Sequence, residues 1–278
     1  MQILQTHIMP VDEVKLHVVT WGKPSAPPLV LLHGFTGNAF SWRALAEPLS
    51  RAYYVIAFDL IGHGKSDSPN DVTKYSMPNV AQQVMTVLGQ FTAQPAHWIG
   101  YSMGGRLALY CAVHHPRVIR SLTLESASPG LETDAEQQAR RQADAKLAER
   151  ILEKGIVAFV DEWERLPLFT TQQHLSSEII QQVRQSRLMN HPLGLANSLK
   201  GMGTGSQPSL WSELTNLKMP VCLITGALDI KFCEIAEKMQ HAIPQQEWHV
   251  VQGAGHTVHL EAFTPYLENV ELFLARHS

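Results

Sequence analysis

The sequence predicts an α/β protein with a mostly parallel central sheet that is flanked by helices. Short apolar runs alternate with amphipathic helical patterns along most of the chain, an alternation that gives parallel βαβ units with right-handed crossovers. A sharp glycine-rich turn at Gly100–Gly105 joins one apolar run directly to an apolar helix. A helical stretch, roughly residues 130–205, then interrupts the alternation, so we expect one sheet with a helical insertion.

The first strands and helices are predicted from their periodicity. Residues Lys15–Thr20 alternate with period 2 and indicate an edge hairpin strand, whereas short apolar runs indicate buried strands. The buried strands are Leu29–Leu32, Tyr53–Phe58, Ala96–Ile99 and Val118–Leu124. Amphipathic patterns between them predict helices over Phe40–Leu49, Met77–Phe91 and Arg106–Val113.

Helical patterns dominate after Gly130. A long, charged pattern runs from Thr133 to Lys154 and is expected to end at Gly155, because glycine is common just after a helix. Further helical stretches continue to about Lys200. Strands resume at Val221–Thr225 and Trp248–Val251, and a helix over Pro265–Ala275 closes the chain.

This layout predicts a core of residues 1–129 and 206–278 and a helical cap over residues 130–205. The glycines of Gly201–Gly205 lack the Lys and Ser/Thr that follow in a phosphate-binding loop, so we interpret them as a hinge.

Composition excludes several classes of protein. The 278 residues are 45% hydrophobic and 17% charged, whereas disordered chains have fewer apolar residues and more net charge. A formal net charge of −3 gives no bulk attraction to nucleic acid or to an anionic membrane. The chain also lacks a long apolar run, and its first 15 residues lack the basic and apolar regions of a signal peptide. We therefore expect no nucleic-acid partner and no membrane insertion.

Cysteine and histidine patterns predict neither a disulfide framework nor a metal site. The cysteines are odd in number and scattered, at Cys111, Cys222 and Cys233, which favours a reducing cytoplasm. No HExxH motif occurs among the 14 histidines, and the pairs His114–His115 and His256/His259 are weak metal signals.

The strongest chemical motif is Gly100-Tyr101-Ser102-Met103-Gly104, which matches G-x-S-x-G. It lies directly between an apolar strand and an apolar helix, the context that this motif requires. Such a turn holds the serine backbone in a strained conformation and exposes the hydroxyl at the helix N-terminus. Ser102 is therefore the candidate nucleophile or base.

A serine hydroxyl needs a neighbour that takes its proton, and on such a scaffold the partners follow in the order acid, then histidine. Asp229 and His256 each follow a predicted strand, at the carboxyl ends where open α/β sheets bind ligands. We predict a triad of Ser102, Asp229 and His256, in which Asp229 fixes the imidazole tautomer. Glu125 is the rival acid, and His259 and His249 are rival histidines that fit the spacing less well.

An oxyanion hole is predicted beside this serine. His33-Gly34-Phe35 ends the first buried strand, where such folds supply one backbone donor, and the residue after the serine supplies the other. The donors would be the N–H groups of Phe35 and Met103. The Asp59–Gly64 turn is interpreted as structural, and for His63 within it this interpretation is favoured over a catalytic role.

These features together resemble an α/β-hydrolase-fold protein throughout the chain. Four motifs also resemble, more narrowly, the 2-succinyl-6-hydroxy-2,4-cyclohexadiene-1-carboxylate synthases of menaquinone biosynthesis. The motifs are GYSMGGR (Gly100–Arg106), ESASPG (Glu125–Gly130), WERLPLF (Trp163–Phe169) and GMGTGSQPSLW (Gly201–Trp211). The first motif is common among hydrolases, but all four in order are far more specific.

The resemblance implies an elimination that needs no cofactor. The substrate would be a small tricarboxylate, a cyclohexene that carries an enolpyruvyl ether, a succinyl group and a ring carboxylate, and loss of a ring proton would expel pyruvate. Ser102, deprotonated through His256 and Asp229, would be the base. The amides of Phe35 and Met103 would stabilise negative charge on the succinyl carbonyl side.

Arg106 supports this expectation on physical grounds. It lies four residues after Ser102, one turn along the same face of an otherwise apolar helix. A charge there is costly without an anionic partner, and arginine binds carboxylates bidentately. The alternative is that Arg106 pairs with an internal Asp or Glu or extends to solvent.

The resemblance implies four further substrate contacts, at Tyr101, Arg141, Trp163 and Arg187. Each of these two arginines has a neighbouring arginine that could contact the substrate instead. Arg140 and Arg141 point about 100° apart on a helix, so only one faces the cleft, and we favour Arg141. Arg187 fits the family pattern better than Arg184, and solvated surface stays an alternative for each cap arginine.

The sequence is also compatible with two other functions. One is an ordinary serine esterase or carbon–carbon bond hydrolase with the same triad, which would have little use for Arg106. The other is a ligand-binding receptor on this fold that responds through closure of the cap.

Overall fold

A computed structural model describes residues 4–278, which form an eight-stranded sheet. The strands are β1 (Leu4–Val11), β2 (Val14–Trp21), β3 (Pro28–Leu32), β4 (Tyr54–Phe58), β5 (Ala96–Tyr101), β6 (Ile119–Glu125), β7 (Val221–Gly226) and β8 (Gln246–Val251). Their order across the sheet is β1-β2-β4-β3-β5-β6-β7-β8. Strand β2 is antiparallel to β1 and β4, and all other neighbours are parallel. The predicted fold class is confirmed.

Helices follow most of the parallel strands. They are α1 (Arg43–Leu49), α2 (Met77–Leu88), α3 (Met103–His114), α4 (Asp134–Trp163), α5 (Ser177–Leu188), α6 (Pro192–Met202), α7 (Ile230–Ala242), α8 (Val258–Glu261) and α9 (Phe263–Arg276). The alternation along β3 explains the two core layers, because successive side chains of a strand point to opposite faces. Val30 and Leu32 pack with residues of α2, α3 and α7, whereas Leu29 and Leu31 pack with residues of α1 and α9.

Three details differ from the sequence prediction. The predicted edge strand Lys15–Thr20 is internal, because β1 covers its outer side; β1 was missed because its side chains are mostly solvent-exposed and polar residues interrupt its apolar pattern. Helix α7 was not predicted. Helix α3 begins at Met103 rather than Arg106, since the glycines of the turn already have helical geometry.

Helix α4 begins with a capping box in which Thr133 and Glu136 each bond the other's backbone N–H. Its first segment stops at Gly155, as predicted, because this residue has a φ of +77°, which glycine adopts readily. The helix then resumes and continues to Trp163. The break therefore changes the direction of the chain within the inserted region.

The chain between β6 and β7 holds helices α4, α5 and α6. It has a small hydrophobic cluster of its own, formed by Ala148, Ile151, Phe159, Val160, Leu195, Ala196 and Leu199. Phe35, from the loop after β3, packs against this cluster. The domain boundaries at residues 130 and 205 stay a prediction. Within residues 4–278, no helix has both the length and the hydropathy that crossing a membrane requires.

Candidate active site

Ser102 lies in the sharp turn between β5 and α3. Its φ of +49° and ψ of −108° belong to a region that non-glycine residues rarely occupy, so the backbone is strained there. The N–H of Ser102 donates to the carbonyl oxygen of Glu125 at 2.9 Å, which ties the turn to the end of β6. The end of β6 thus holds the strained Ser102 in place at the N-terminus of α3.

The turn also needs a residue without a side chain at position 104. A Cβ on Gly104 would overlap the backbone carbonyl of Leu32 on β3. We expect Gly104→Ala to destabilise the fold by about 2–3 kcal/mol, because overpacking against backbone forces strands apart. Thermal unfolding should show a Tm lower by about 5–10 °C.

Gly89→Ala is the matched control, since a Cβ at Gly89 would make only ordinary contacts, the nearest at 3.5 Å. Its backbone has ordinary helical angles, so Tm should change little. Equal Tm shifts in the two variants would contradict the packing argument.

The structure brings the three predicted triad residues together. Nδ1 of His256 lies 2.6 Å from Oδ2 of Asp229, and Nε2 lies 3.0 Å from Oγ of Ser102. A carboxylate only accepts hydrogen bonds, so Nδ1 carries the proton and Nε2 accepts from the serine hydroxyl. His256 and Asp229 are buried. This arrangement allows the imidazole to take the serine proton while the carboxylate stabilises the resulting cation.

The rival residues form a pair of their own. Glu125 accepts hydrogen bonds from the ring Nδ1 of His259 at 2.8 Å and from its backbone N–H at 3.0 Å. Both residues are buried, and the Trp42 ring lies 4.7 Å from the His259 ring. The third rival, His249, bonds Glu247 at 3.0 Å. In the described chain, the side chains of these rivals make no hydrogen bond to the hydroxyl of Ser102, whose partner is His256.

The loop that carries Phe35 is braced on both sides. Nε2 of His33 accepts from the N–H of Leu60 at 3.0 Å, and the side-chain amide of Asn190 on the far side donates to the carbonyl of Thr36 at 2.7 Å. The N–H groups of Phe35 and Met103 make no hydrogen bond with residues 4–278. These two donors are therefore available for an oxyanion.

The Asp59–Gly64 turn holds this loop through a buried carboxylate. Asp59 accepts hydrogen bonds from Nδ1 of His17 and from the N–H groups of Ala39 and Lys65. Burial alone would raise the pKa of Asp59, but these hydrogen bonds hold it below its usual value. Burial, together with the nearby His33, lowers the pKa of His63 to about 3, so His63 stays neutral.

Arg106 is partly buried and makes no ion pair with a carboxylate in residues 4–278. Its Nη1 donates to the carbonyl oxygen of Met202 at 2.9 Å and to Oε1 of Gln207. Burial and the nearby Arg140 lower the pKa of Arg106 to about 10, so the guanidinium remains charged at neutral pH. Its charge is thus not neutralised by a direct internal partner.

Tyr101 and Trp163 contribute aromatic surface near the triad. The Tyr101 ring lies 5.4 Å from the His256 ring, and burial raises the pKa of its hydroxyl. Trp163 packs edge-on against Phe35 with ring centroids 5.3 Å apart. The Nε1–H of Trp163 is buried and has no hydrogen-bond partner within the described residues. It is a donor that a ligand could use.

The two predicted cap arginines differ in their surroundings. Arg187 is buried, bonds Glu164 at 3.1 Å and lies over the Phe169 ring at 4.9 Å. Arg141 is exposed and donates to the carbonyl of Gly205 at 2.8 Å. Its neighbour Arg140 instead bonds the buried Asp144 at 2.8 Å. The predicted choice between Arg140 and Arg141 therefore stays open.

Sequence reasoning missed a hydrogen-bonded chain from the predicted cap to the segment beside His256. Arg187 donates to Oε1 of Gln172, and Nε2 of Gln172 donates to the hydroxyl of Thr257 at 2.9 Å. That hydroxyl lies 2.8 Å from the Tyr101 hydroxyl. Only the position of Thr257, beside His256, could have signalled the chain. Gln207 was also missed as an individual residue, although it lies inside the Gly201–Trp211 motif.

One group of side chains has the ligand types and spacing that could bind a metal ion. Within residues 4–278, the ligand atoms of Cys222, Glu247 and His249 lie within 4.8 Å of one another. Glu247, however, already accepts from Arg276 and His249. Burial raises the pKa of the Cys222 thiol well above its usual value, which disfavours the thiolate. The group lies within β7 and β8 rather than in the loops that carry the triad, so we assign it no part in the site.

Comparisons with known proteins agree with this geometry. A family model for the alpha/beta hydrolase fold matches residues 27–263. The chain is 43% identical over 250 residues to a Bacillus subtilis (strain 168) protein named provisionally as a 2-succinyl-6-hydroxy-2,4-cyclohexadiene-1-carboxylate synthase, covering 90% of this chain and 91% of that protein. It is 30% identical to the synthase of that name from Serratia proteamaculans (strain 568), covering 91% and 96%.

A solved structure gives the same result. The structure of MenH from S. aureus superposes with a TM-score of 0.90 and 35% identity, covering 94% of this chain and 98% of that one. These comparisons confirm the family that the sequence was found to resemble. The chain belongs to the α/β-hydrolase fold family and, within it, to the 2-succinyl-6-hydroxy-2,4-cyclohexadiene-1-carboxylate synthases.

Proposed function

We propose that this enzyme eliminates pyruvate from 2-succinyl-5-enolpyruvyl-6-hydroxy-3-cyclohexene-1-carboxylate, giving 2-succinyl-6-hydroxy-2,4-cyclohexadiene-1-carboxylate in menaquinone biosynthesis. It is a carbon–oxygen lyase on a hydrolase scaffold, and its proposed mechanism uses no cofactor. The observation that carries the proposal is the combination of a hydrogen-bonded Ser-His-Asp arrangement with the unneutralised guanidinium of Arg106, one helical turn after the serine.

The reaction is a 1,4-elimination. His256 accepts the hydroxyl proton of Ser102, and the Ser102 oxygen removes the ring proton at C2, which lies next to the succinyl carbonyl. The electron pair of the C2–H bond forms the C2=C3 double bond, and the old C3=C4 pair moves to C4=C5. The C5–O bond breaks, so the leaving group departs as the enolate of pyruvate and then takes up a proton.

Negative charge develops on the succinyl carbonyl oxygen as the C2 proton leaves. The free N–H groups of Phe35 and Met103 are fixed donors for that oxygen. Fixed donors need no reorganisation during the reaction, so they stabilise the transition state more than the ground state.

The substrate carries three carboxylates, and the site offers fixed cations and donors to bind them. Arg106 and Arg187 are the arginines that the surroundings hold most firmly, and Nε1 of Trp163 is a free donor. Tyr101 adds an aromatic surface beside His256. We also propose Arg141 as a substrate contact. It is exposed, so this contact requires that its surface of the cap face the ligand.

Two further parts of the proposal concern organisation. We propose that residues 130–205 act as the cap over the triad, because their cluster packs on Phe35 and their Gln172 reaches Thr257. We also propose a cytoplasmic location, since all three cysteines are free thiols.

The direct test is pyruvate release from the enolpyruvyl substrate, coupled to lactate dehydrogenase, beside hydrolysis of p-nitrophenyl acetate. We expect fast pyruvate release and slow ester hydrolysis. Fast ester turnover without pyruvate would identify an ordinary serine hydrolase instead. Slow turnover of every substrate, with ordering of the cap on ligand binding, would identify a receptor.

Arg106→Ala is expected to lower kcat/KM for pyruvate release by roughly 30- to 1000-fold. Loss of a charged contact to a carboxylate in a desolvated site costs about 2–4 kcal/mol. Tm should change little, because no carboxylate of residues 4–278 forms an ion pair with Arg106. Steady-state kinetics and thermal unfolding measure the two effects.

p-Nitrophenyl acetate is the control substrate for Arg106→Ala, since it has no carboxylate for Arg106 to bind. Its hydrolysis should fall far less than pyruvate release. A large loss of stability with unchanged pyruvate release would instead assign Arg106 a structural role.

A further inference from the structure

The polar partners of the Arg106 guanidinium are unusual because both are neutral. They are the carbonyl oxygen of Met202 and Oε1 of Gln207. A partly buried guanidinium normally pairs with a carboxylate, which cancels its charge. Here two neutral acceptors fix the orientation of Nη1 and leave the positive charge in place.

Gln207 is held in one orientation. Its side chain is 2% exposed, and its amide nitrogen lies beside Gly130 without an acceptor in the described residues. Turning the amide over would set its NH₂ group against the Arg106 donor, so the oxygen must face Arg106. A glutamate would fill the same space and supply an anion at that place.

An acidic side chain that influences Arg106, Asp144, is hydrogen-bonded to a different arginine. Asp144 acts on Arg106 through space, but its Oδ1 accepts from Arg140 at 2.8 Å. Asp144 makes no ion pair with Arg106 within the described part of the chain. The neighbourhood therefore contains a carboxylate, yet the direct contact to Arg106 is given to an amide.

We infer that Gln207 is a positioning residue that makes the site specific for polyanionic substrates, because it orients Arg106 without neutralising it. This inference rests on the proposed function, in which Arg106 binds a substrate carboxylate. It predicts that the charge of the side chain at position 207, and not only the shape of that side chain, controls the affinity for the substrate.

The experiment compares Gln207→Glu with Gln207→Met in the pyruvate-release assay. Gln207→Glu places a carboxylate against Arg106, so KM should rise at least about 30-fold, with a smaller change in kcat. Gln207→Met keeps the volume and removes one acceptor of Arg106 without adding a charge, so KM should rise only about two- to tenfold. Tm of Gln207→Glu should stay the same or rise, because a new ion pair forms.

Gln83→Glu is the matched control. Gln83 is also a buried glutamine, 4% exposed, but it lies on α2 and bonds the carbonyl of Lys74 at 2.9 Å. This variant should lower Tm and leave KM for pyruvate release unchanged. The contrast separates the cost of a buried carboxylate in general from its effect beside Arg106.

A second readout separates this inference from the proposed function. Calorimetry measures binding of propane-1,2,3-tricarboxylate to the wild-type enzyme and to Gln207→Glu. Binding that is lost in the variant supports the inference even if the wild type releases no pyruvate. A KM for Gln207→Glu within threefold of wild type, equal effects of Glu and Met, or no tricarboxylate binding by a wild type that also releases no pyruvate would overturn it.

Discussion

Ser102→Ala should lower the rate of pyruvate release by at least about 10⁴-fold, because removal of a triad nucleophile or base costs four to six orders of magnitude in related chemistry. The serine oxygen lies 3.0 Å from Nε2 of His256, its proposed activating group, and it is the proposed base for the C2 proton. Single-turnover measurement of pyruvate, coupled to lactate dehydrogenase, has the range to detect such a loss.

Substrate binding should survive this substitution within a few-fold, since the cations and the donors of the site are unchanged. Calorimetry with the unreacted substrate provides this control. Pyruvate release at more than a tenth of the wild-type rate would mean that His256, or another group, removes the proton directly. That outcome would remove Ser102 from the mechanism but leave the binding site intact.

Asp229→Asn should lower kcat by about 10⁴-fold with little change in KM, as the corresponding change does in serine proteases. An amide can donate to Nδ1 of His256, which stabilises the tautomer with the proton on Nε2. That proton blocks acceptance from Ser102. Asp229 can act on this tautomer because its Oδ2 lies 2.6 Å from Nδ1 of His256.

Glu125→Gln is the matched control for the acid of the triad. Glu125 is also a buried carboxylate that bonds a histidine, but its partner is His259 rather than His256. We expect a lower Tm and a kcat reduced far less than in Asp229→Asn. The opposite ranking of the two variants would make Glu125 the functional acid.

The parts of the fold that follow local rules could be predicted from the sequence. Strand β3 is a continuous apolar run because both of its faces are covered, and the turn at Ser102 is recognisable because its glycines are sterically required. Strand β1 was missed because its side chains are mostly exposed and polar residues interrupt its apolar pattern. Helix α7 was missed because it buries only Ala236 and Met239 of its 13 residues.

In the site, too, the residues that follow local rules could be predicted and the others could not. Ser102, Asp229 and His256 could be placed because each follows a predicted strand, and strand ends meet at one edge of a parallel sheet. The partners of Arg106 could not be placed, since no local pattern specifies that Gln207 reaches Arg106 across 101 residues of sequence. Likewise, the choice between Arg140 and Arg141 depends on how α4 lies on the core, which periodicity does not determine.

The two contacts of Glu125 affect how catalytic competence arises during folding. Its carbonyl oxygen accepts from the N–H of Ser102, and its carboxylate accepts from the N–H of His259, three residues after His256. Ser102 and His256 are 154 residues apart, and contacts over such separations close large loops and form slowly. In the proposed mechanism, a nascent chain that contains Ser102 but not yet His256 therefore cannot activate the serine. The proposed reactivity then needs the completed sheet, so the unfinished protein carries no activated hydroxyl.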